Sequence, residues 1–177
     1  MTFSLQQLSD IEEIKVLKHR YFRGIDTGDA ALLSNLFTED VAVTYNGGTY
    51  KVSLSGRAAM LEFLGNAFHS GAAAMHIGLM PEITVTGDNS ATGIWTLQDV
   101  FIDLEKDNHT FGTAIYTDRY RREGGVWKIE ATWYDRVIEV LTKFSATGGR
   151  VSVQRLATTG RKPHERTDIS HLIHWDQ

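Results

Sequence analysis

Three long segments in the second half of the chain constrain its fold most strongly. Residues 91–104, 110–122 and 126–141 are rich in Thr, Ile, Val, Tyr and Trp, the residue types that favour strands. Short turn sequences at 106–108 and 123–125 separate them, and such turns connect antiparallel neighbours. The first half of the chain has a helical pattern. Helices followed by a curled antiparallel sheet predict an α+β fold.

The first helix is marked by apolar residues at helical intervals. Ser9 followed by Glu12 has the spacing of a capping box and predicts the helix start. Thr27-Gly28 predicts its end, and Asp29 can cap a short second helix. Gly56 precedes a third. The apolar stripe of the first helix comprises Ile11, Ile14, Leu17, Tyr21, Phe22 and Ile25.

Further strands are predicted between and after these helices. Residues 41–45 alternate in polarity, and the following Asn46-Gly47-Gly48 is typical of a hairpin turn. Residues 76–80 and 82–86 have an extended pattern on either side of Pro81. Strands as long as those at 91–141 usually coil and carry β-bulges, so side-chain alternation is not secure along their full length.

Composition indicates an ordinary globular domain. The 177 residues are 42% hydrophobic and 23% charged, which excludes disorder and a coiled coil. There is no cysteine, so disulfides, thiolate zinc sites and a cysteine nucleophile are excluded. The first residues lack a basic and apolar leader, and no stretch approaches the length of a membrane span. We expect a cytoplasmic protein without a membrane partner.

Charge is unevenly distributed along the chain. Residues 142–177 hold six basic and three acidic residues, a net charge of +3, whereas the preceding residues sum to −7, which together give the formal −4. A basic tail can bind nucleic acid. Here the basic residues are scattered, and an acidic body repels phosphate backbones. We therefore expect the tail to lie against an acidic neighbour and expect no nucleic-acid partner.

Asp99 is the most informative single residue. Strand alternation places it on one face with Trp95, Leu97 and Phe101. Burial of a carboxylate among large apolar side chains costs several kcal/mol unless the carboxylate is paired, hydrogen-bonded or protonated. Such a site favours acid–base chemistry. The alternative is that a bulge turns Asp99 to solvent at the rim of the sheet.

Three further residues are candidates, each with a structural alternative. His76 lies among apolar residues of a strand, where a lone histidine is more often part of the core than a catalyst. Asp26 ends the first helix off its apolar stripe, and a solvated turn residue is the alternative. Tyr21 lies on the stripe and could be a packed tyrosine whose hydroxyl finds a partner.

The remaining histidines and motifs give weaker signals. His19 and His69 are interpreted as helix-surface residues. His171 and His174 have i, i+3 spacing, but no third ligand accompanies them, so no metal site is predicted. The chain lacks G-x-G-x-x-G, P-loop and G-x-S-x-G sequences. No cofactor is predicted.

The order of these segments resembles the SnoaL-like group of the nuclear transport factor 2-like superfamily. The matching stretches are residues 21–26, 32–40, the strand bearing His76 and residues 116–129, and the resemblance covers about residues 8–140. It implies a cone-shaped α+β barrel over residues 1–145, in which a strongly curved, mostly antiparallel sheet wraps the N-terminal helices around an apolar pocket. Residues 146–177 would form a C-terminal extension, as an oligomer arm or a pocket lid.

The resemblance also implies a site. Asp26, His76 and Asp99 would point into the pocket, and scytalone dehydratases and bile-acid 7α-dehydratases use such a histidine–aspartate pair with a tyrosine, here Tyr21, on the same helix. The similar hexachlorocyclohexane dehydrochlorinases have a lysine where this chain has Tyr21, which favours loss of water over loss of chloride. An arginine frequent in the superfamily is replaced by Thr132, and Arg136 is the nearest substitute.

These features predict a cofactor-independent dehydratase that acts on a hydroxylated steroid, polyketide or alicyclic ring compound. His76 would be the base, Asp26 would orient it and Tyr21 would activate the reacting oxygen. Asp99 would handle protons or bind substrate, with Arg136 as a further candidate. The alternatives are an isomerase or polyketide cyclase, or a non-catalytic ligand-binding or assembly subunit. The resemblance favours a homo-oligomer, with a trimer preferred and a dimer possible.

Overall fold

The computed structural model describes residues 2–175 as four α-helices and seven strands. The helices are α1 (Leu5–Thr27), α2 (Ala30–Ser34), α3 (Arg57–Ala67) and α4 (Arg155–Thr159). The strands are β1 (Phe37–Asn46), β2 (Tyr50–Ser55), β3 (Ala72–Gly87), β4 (Ser90–Asp103), β5 (Asn108–Glu123), β6 (Val126–Lys143) and β7 (Ile173–Trp175).

The strands form one sheet in the order β3-β4-β5-β6-β1-β2-β7. All neighbours are antiparallel except β1 and β6, which are parallel. Register shifts interrupt β3 between Leu79 and Glu82, and the β5–β6 pairing at Thr113/Ala114. Such bulges bend a strand and increase its twist, and the sheet curves around the helices without closing. The predicted α+β class and curved, mostly antiparallel sheet are confirmed.

The first helix begins earlier than predicted. Ser4 is the N-cap: its side chain accepts a hydrogen bond from the Gln7 backbone N–H, and the Gln7 side chain accepts one from the Ser4 backbone N–H. The capping box therefore lies more than one helical turn before Ser9. The prediction of a start at Ser9 was wrong because Leu5 and Leu8 are exposed and add nothing to the apolar stripe. The predicted end is confirmed, since Gly28 adopts the left-handed conformation at φ 61°.

One core joins the stripe of α1 to the inner face of the sheet. Ile14, Leu17, Tyr21 and Phe22 are buried against strand residues such as Trp95. The tail adds Leu156, which is 2% exposed. The tail is therefore packed on the same chain, and two of its arginines pair with acidic residues, as described below.

A buried ion pair that sequence patterns did not indicate lies behind this core. Lys18 and Asp118 are both fully buried, with 2.8 Å between Nζ and Oδ2. The Tyr120 hydroxyl donates to the same carboxylate oxygen at 2.7 Å. The Lys18 ammonium lies 3.6 Å from the ring centre of Tyr116. Burial lowers the pKa of Lys18, and the nearby Asp118 opposes that shift.

No helix described between residues 2 and 175 has both the length and the apolar character needed to cross a membrane.

We expect Lys18→Met to destabilise the fold by about 3–5 kcal/mol, because it leaves the Asp118 carboxylate buried without its counter-charge. Urea denaturation measures this effect. The double variant K18M/D118N removes both charges and keeps an acceptor for Tyr120, so it should recover most of the lost free energy of unfolding. Equal stability of the single and double variants would contradict the prediction.

Candidate functional site

A cavity of about 700 Å³ lies between the helices and the concave face of the sheet. Its wall combines apolar side chains with a ring of phenol groups and with four of the five residues predicted from the sequence. The phenols belong to Tyr21, Tyr45, Tyr50, Tyr116 and Tyr134. A largely apolar cavity with a few polar groups is typical of small-molecule sites.

His76 and Asp26 form a hydrogen-bonded pair at the cavity wall. The end of α1 places Asp26 beside β3, where its Oδ1 lies 2.6 Å from His76 Nδ1 and its Oδ2 accepts the His76 backbone N–H at 2.9 Å. The His76 ring stacks on Phe22 and meets Phe68 edge-on. These contacts set the orientation of the ring. With Nδ1 engaged, Nε2 is the nitrogen left for a bound molecule.

His76 borders two spaces. It lines the main cavity and also an outer groove of about 340 Å³ on the other side of the pair. Asp26 borders only the groove, together with residues such as Arg23. Asp26 therefore lies behind His76 and does not itself face the cavity, in contrast to the expectation that it would point into the pocket.

Tyr21 lies on the cavity wall in a network of hydroxyl groups. Its hydroxyl is 2.9 Å from that of Tyr45. Burial raises the pKa of Tyr21 to about 12, although hydrogen bonds to neighbouring tyrosines oppose the shift. Its hydroxyl is therefore protonated at neutral pH, and either hydroxyl of this pair can be the donor. A second phenol pair, Tyr50 and Tyr134, is also hydrogen-bonded.

Asp99 and Arg136 are paired with each other. Both side chains are nearly buried and line the cavity, with 2.5 Å between Arg136 Nη1 and Asp99 Oδ1. Burial opposes the charged form, but the Asp99 contact holds the pKa of Arg136 above its ordinary value. Asp99 is thus not turned to solvent. Among residues 2–175, Arg136 Nε has no hydrogen-bond partner.

Gly112 makes room for this pair. It lies opposite Asp99 on the neighbouring strand. A Cβ at position 112 would overlap Arg136 Nη1 and approach the Ile138 carbonyl oxygen to 2.9 Å. The absence of a side chain on β5 therefore lets the guanidinium cross from β6 to β4.

The interpretation of His69 as a helix-surface residue was wrong. Helix α3 ends at Ala67, and His69 is 4% exposed in the cavity wall near Asp103. The tail covers this turn, with Gly160 packed so closely that a Cβ there would lie 2.7 Å from the His69 carbonyl carbon. Helical periodicity could not show that a segment ninety residues later buries this histidine.

The tail closes one side of the cavity. Arg161 pairs with Glu62 at 2.8 Å, and Arg166 pairs with Glu105 at 2.8 Å. The Thr167 backbone donates to Asn66 Oδ1 at 2.7 Å. Strand β7 extends the sheet beside β2. Tail residues that line the cavity are Pro163, Arg166, Thr167, Asp168, Ile169, Ser170, Ile173 and Trp175.

The structure thus brings four predicted residues, Tyr21, His76, Asp99 and Arg136, to the cavity wall. The patterns missed the other four tyrosines and His69. Alternation along β1, β2, β5 and β6 could have assigned the tyrosines to the inner face, as Asp99 was assigned on β4. Nothing in the local sequence marked them as neighbours of Tyr21.

Solved structures share this architecture. A hexachlorocyclohexane dehydrochlorinase, LinA-type3 from Novosphingobium barchaimii, is 19% identical, with 78% of this chain and 93% of that one covered and a TM-score of 0.69. A candidate scytalone dehydratase from Novosphingobium aromaticivorans is 18% identical, with coverages of 75% and 87% and a TM-score of 0.65. The structure of Rv3472(D26N), a Mycobacterium tuberculosis protein of unknown function, is 23% identical, with coverages of 87% and 86% and a TM-score of 0.62.

At these identities the likeness establishes a shared fold. The sequence itself matches the model of the SnoaL-like domain over residues 6–132, which is well over half of the chain. The chain therefore belongs to the SnoaL-like domain family.

Proposed function

We propose that this protein is a cofactor-independent dehydratase acting on a hydroxylated ring compound such as a steroid, a polyketide or an alicyclic alcohol. The observation that carries the proposal is the His76–Asp26 pair, in which Nδ1 is engaged by the carboxylate and the ring lies in the wall of a largely apolar cavity. The dehydrochlorinase and the candidate scytalone dehydratase that share the fold support an elimination reaction by analogy alone.

His76 acts as the base. Histidine is the side chain whose ordinary pKa lies nearest neutrality, which suits proton removal next to a carbonyl. Asp26 accepts the Nδ1 hydrogen, which holds the tautomer with a free Nε2 and stabilises the imidazolium formed when Nε2 takes the proton. Asp26 is therefore a positioning residue.

The reaction balances without a co-reactant. His76 Nε2 removes a proton from the carbon beside the carbonyl, and that C–H electron pair becomes the new carbon–carbon double bond. The adjacent C–O bond breaks, and its electrons leave with the hydroxyl oxygen. The proton held by His76 passes to that oxygen, so water leaves and the histidine is regenerated.

Tyr21 and Arg136 stabilise the negative charge that develops on oxygen. The protonated Tyr21 hydroxyl donates to the carbonyl or to the departing hydroxyl. Asp99 holds the Arg136 guanidinium at the cavity wall, where it donates to a substrate oxygen. Because Asp99 is paired directly with Arg136, it supports the guanidinium and takes no independent part in proton transfer in the proposed reaction.

The tail is proposed to be the lid of the cavity, since eight of its residues line the cavity wall and two of its arginines latch onto α3 and the turn after β4. These contacts within one chain favour a lid over an oligomer arm. The homo-oligomer and the cytoplasmic location remain predictions.

Replacing His76 with Ala should lower kcat of the dehydration by about 10²–10⁴-fold, because general-base catalysis contributes that much. Product mass measured on a panel of hydroxylated ring ketones detects the loss of water and separates dehydration from isomerisation or cyclisation. His164→Ala, at an exposed tail position, is the matched control. A His76→Ala protein with full activity on the identified substrate would falsify the assignment.

Gly112→Ala should displace the Arg136 guanidinium, because the new methyl group occupies its place. We expect a loss in kcat/KM of roughly 100-fold, the scale of a small misplacement of a catalytic group. Steady-state kinetics measures it, with Gly87→Ala in a distant strand end as the control. Activity equal to that of the unaltered protein would mean that Arg136 does not contact the substrate.

The double variant R161A/R166A should loosen the lid. Surface ion pairs contribute about 0.2–1 kcal/mol each, so hydrogen exchange of residues 161–175 should accelerate a few-fold, while the R150A/R155A control should not change it. Exchange rates that do not respond to the variant would show that these ion pairs do not hold the lid.

The Arg161 contact lowers the pKa of Glu62 from its ordinary 4.5 to about 2. The stabilisation from the Arg161–Glu62 ion pair is therefore present above pH 4.5 and is lost as the pH falls toward 2.

A further inference from the structure

A second histidine–aspartate pair lies in the wall of the same cavity. His69 follows the end of α3, and Asp103 is the last residue of β4. Both are nearly buried, at 4% and 3% exposure, and both line the cavity. The reaction proposed above uses neither residue, so their position calls for a separate explanation.

The backbone determines which nitrogen of His69 carries a hydrogen. The Gly71 N–H donates to Nδ1 at 3.1 Å, so Nδ1 is an acceptor. In the neutral ring the hydrogen then lies on Nε2. Nε2 is 3.7 Å from Asp103 Oδ2, which is longer than a hydrogen bond. Within the described part of the chain, no residue accepts a hydrogen bond from this nitrogen.

Asp103 uses its two oxygens differently. Oδ1 accepts the backbone N–H groups of Glu105 at 3.0 Å and Lys106 at 3.2 Å, which closes the turn after β4. Oδ2 lies 3.6 Å from the Nζ of Lys106, whose side chain is largely exposed. Burial alone would raise the pKa of Asp103, but the nearby His69 side chain, the turn N–H of Lys106 and the Lys106 ammonium together lower it. At neutral pH the carboxylate is therefore only an acceptor.

We propose that His69 Nε2 and Asp103 Oδ2 bind a hydroxyl group of the substrate. The hydroxyl oxygen accepts a hydrogen bond from Nε2–H and donates its own hydrogen to Oδ2. An oxygen about 2.8 Å from both atoms fits over their 3.7 Å separation. A carbonyl cannot donate to Oδ2, and a carboxylate would be repelled by it. The pair therefore selects an alcohol or phenol.

The sheet register places this subsite far from the reacting end. Asp103 pairs with Ala72 and Asp99 pairs with His76, so the two pairs are four residues apart on both strands, and their backbone positions are roughly 13 Å apart at the rise of a strand. This step rests on the proposed function, because His76 marks the reacting carbon. The substrate class is then an elongated, rigid ring compound with a hydroxyl at the end remote from that carbon.

The tail covers this end of the cavity. Arg166 holds Glu105 at 2.8 Å, and Glu105 lies 4.0 Å from His69 Nδ1. Thr167 also lines the cavity here. Exclusion of water strengthens hydrogen bonds to a buried ion, so the subsite discriminates most when the tail is in place.

Binding of testosterone and androstenedione tests the proposal without turnover. The two steroids share a four-ring skeleton and a ketone at one end, and they differ in a hydroxyl or a second ketone at the other. Only the hydroxyl can donate to Asp103. Isothermal titration calorimetry should give tighter binding of testosterone by roughly tenfold or more, the range for a hydrogen bond to a buried charge.

Two variants locate the effect. Asp103→Asn keeps an acceptor for the turn and presents an N–H in place of Oδ2, so it should reverse the preference in favour of the diketone. His69→Phe removes the donor and should weaken testosterone binding at least tenfold, to near that of androstenedione. Asp88→Asn, in an exposed turn, should retain the preference of the unaltered protein. Thermal unfolding confirms that each variant is folded.

His76→Ala separates this proposal from the dehydratase assignment, because it should lower the rate of dehydration by about 10²–10⁴-fold and leave the ratio of the two dissociation constants unchanged. Equal binding of the two steroids by the unaltered protein would overturn the subsite, and so would an unchanged ratio in folded Asp103→Asn. Binding of neither steroid at about 100 µM, a weak affinity, would overturn the elongated ring compound. If only a water molecule binds between His69 and Asp103, the ratio of the two dissociation constants will likewise be unchanged in Asp103→Asn.

Discussion

The contact between Asp26 and His76 joins the last turn of α1 to the first half of β3, and the site depends on it. One carboxylate oxygen accepts the backbone N–H of His76 and the other faces its ring nitrogen. The first contact positions the strand, and the second orients the imidazole. Gly28 ends the helix directly after this point by adopting a left-handed conformation. The carboxylate is therefore held at a defined height on the sheet.

The wall of the resulting cavity contains polar side chains that are paired with one another. Tyr21 pairs with Tyr45, and Asp99 pairs with Arg136. In a wall that excludes water, a polar group without a partner is costly, so pairing within the wall allows a polar lining to persist. His69 Nε2 is a donor in this wall without an acceptor at hydrogen-bond distance among the described residues, which is why it points to a bound hydroxyl group.

Local patterns predicted those parts of the fold and site that depend on periodicity. Alternation along β4 correctly placed Asp99 on the inner face with Trp95 and Leu97. The stripe of α1 correctly buried Tyr21. The same reasoning misplaced the start of α1, because Ser4 and Gln7 cap a turn that has no apolar stripe. It also misplaced His69, because the tail that buries it is distant in sequence.

The sequence by itself determined the class of fold, the family and the chemical types at the site, because these follow from periodicity, turn residues and the order of short motifs. Only the tertiary structure decided which groups are partners. It placed Asp26 behind His76, joined Asp99 to Arg136 and brought Asp103 to His69. Those pairings depend on strand register, on the space left by Gly112 and on the path of the tail. Each is a long-range contact that local propensity does not encode.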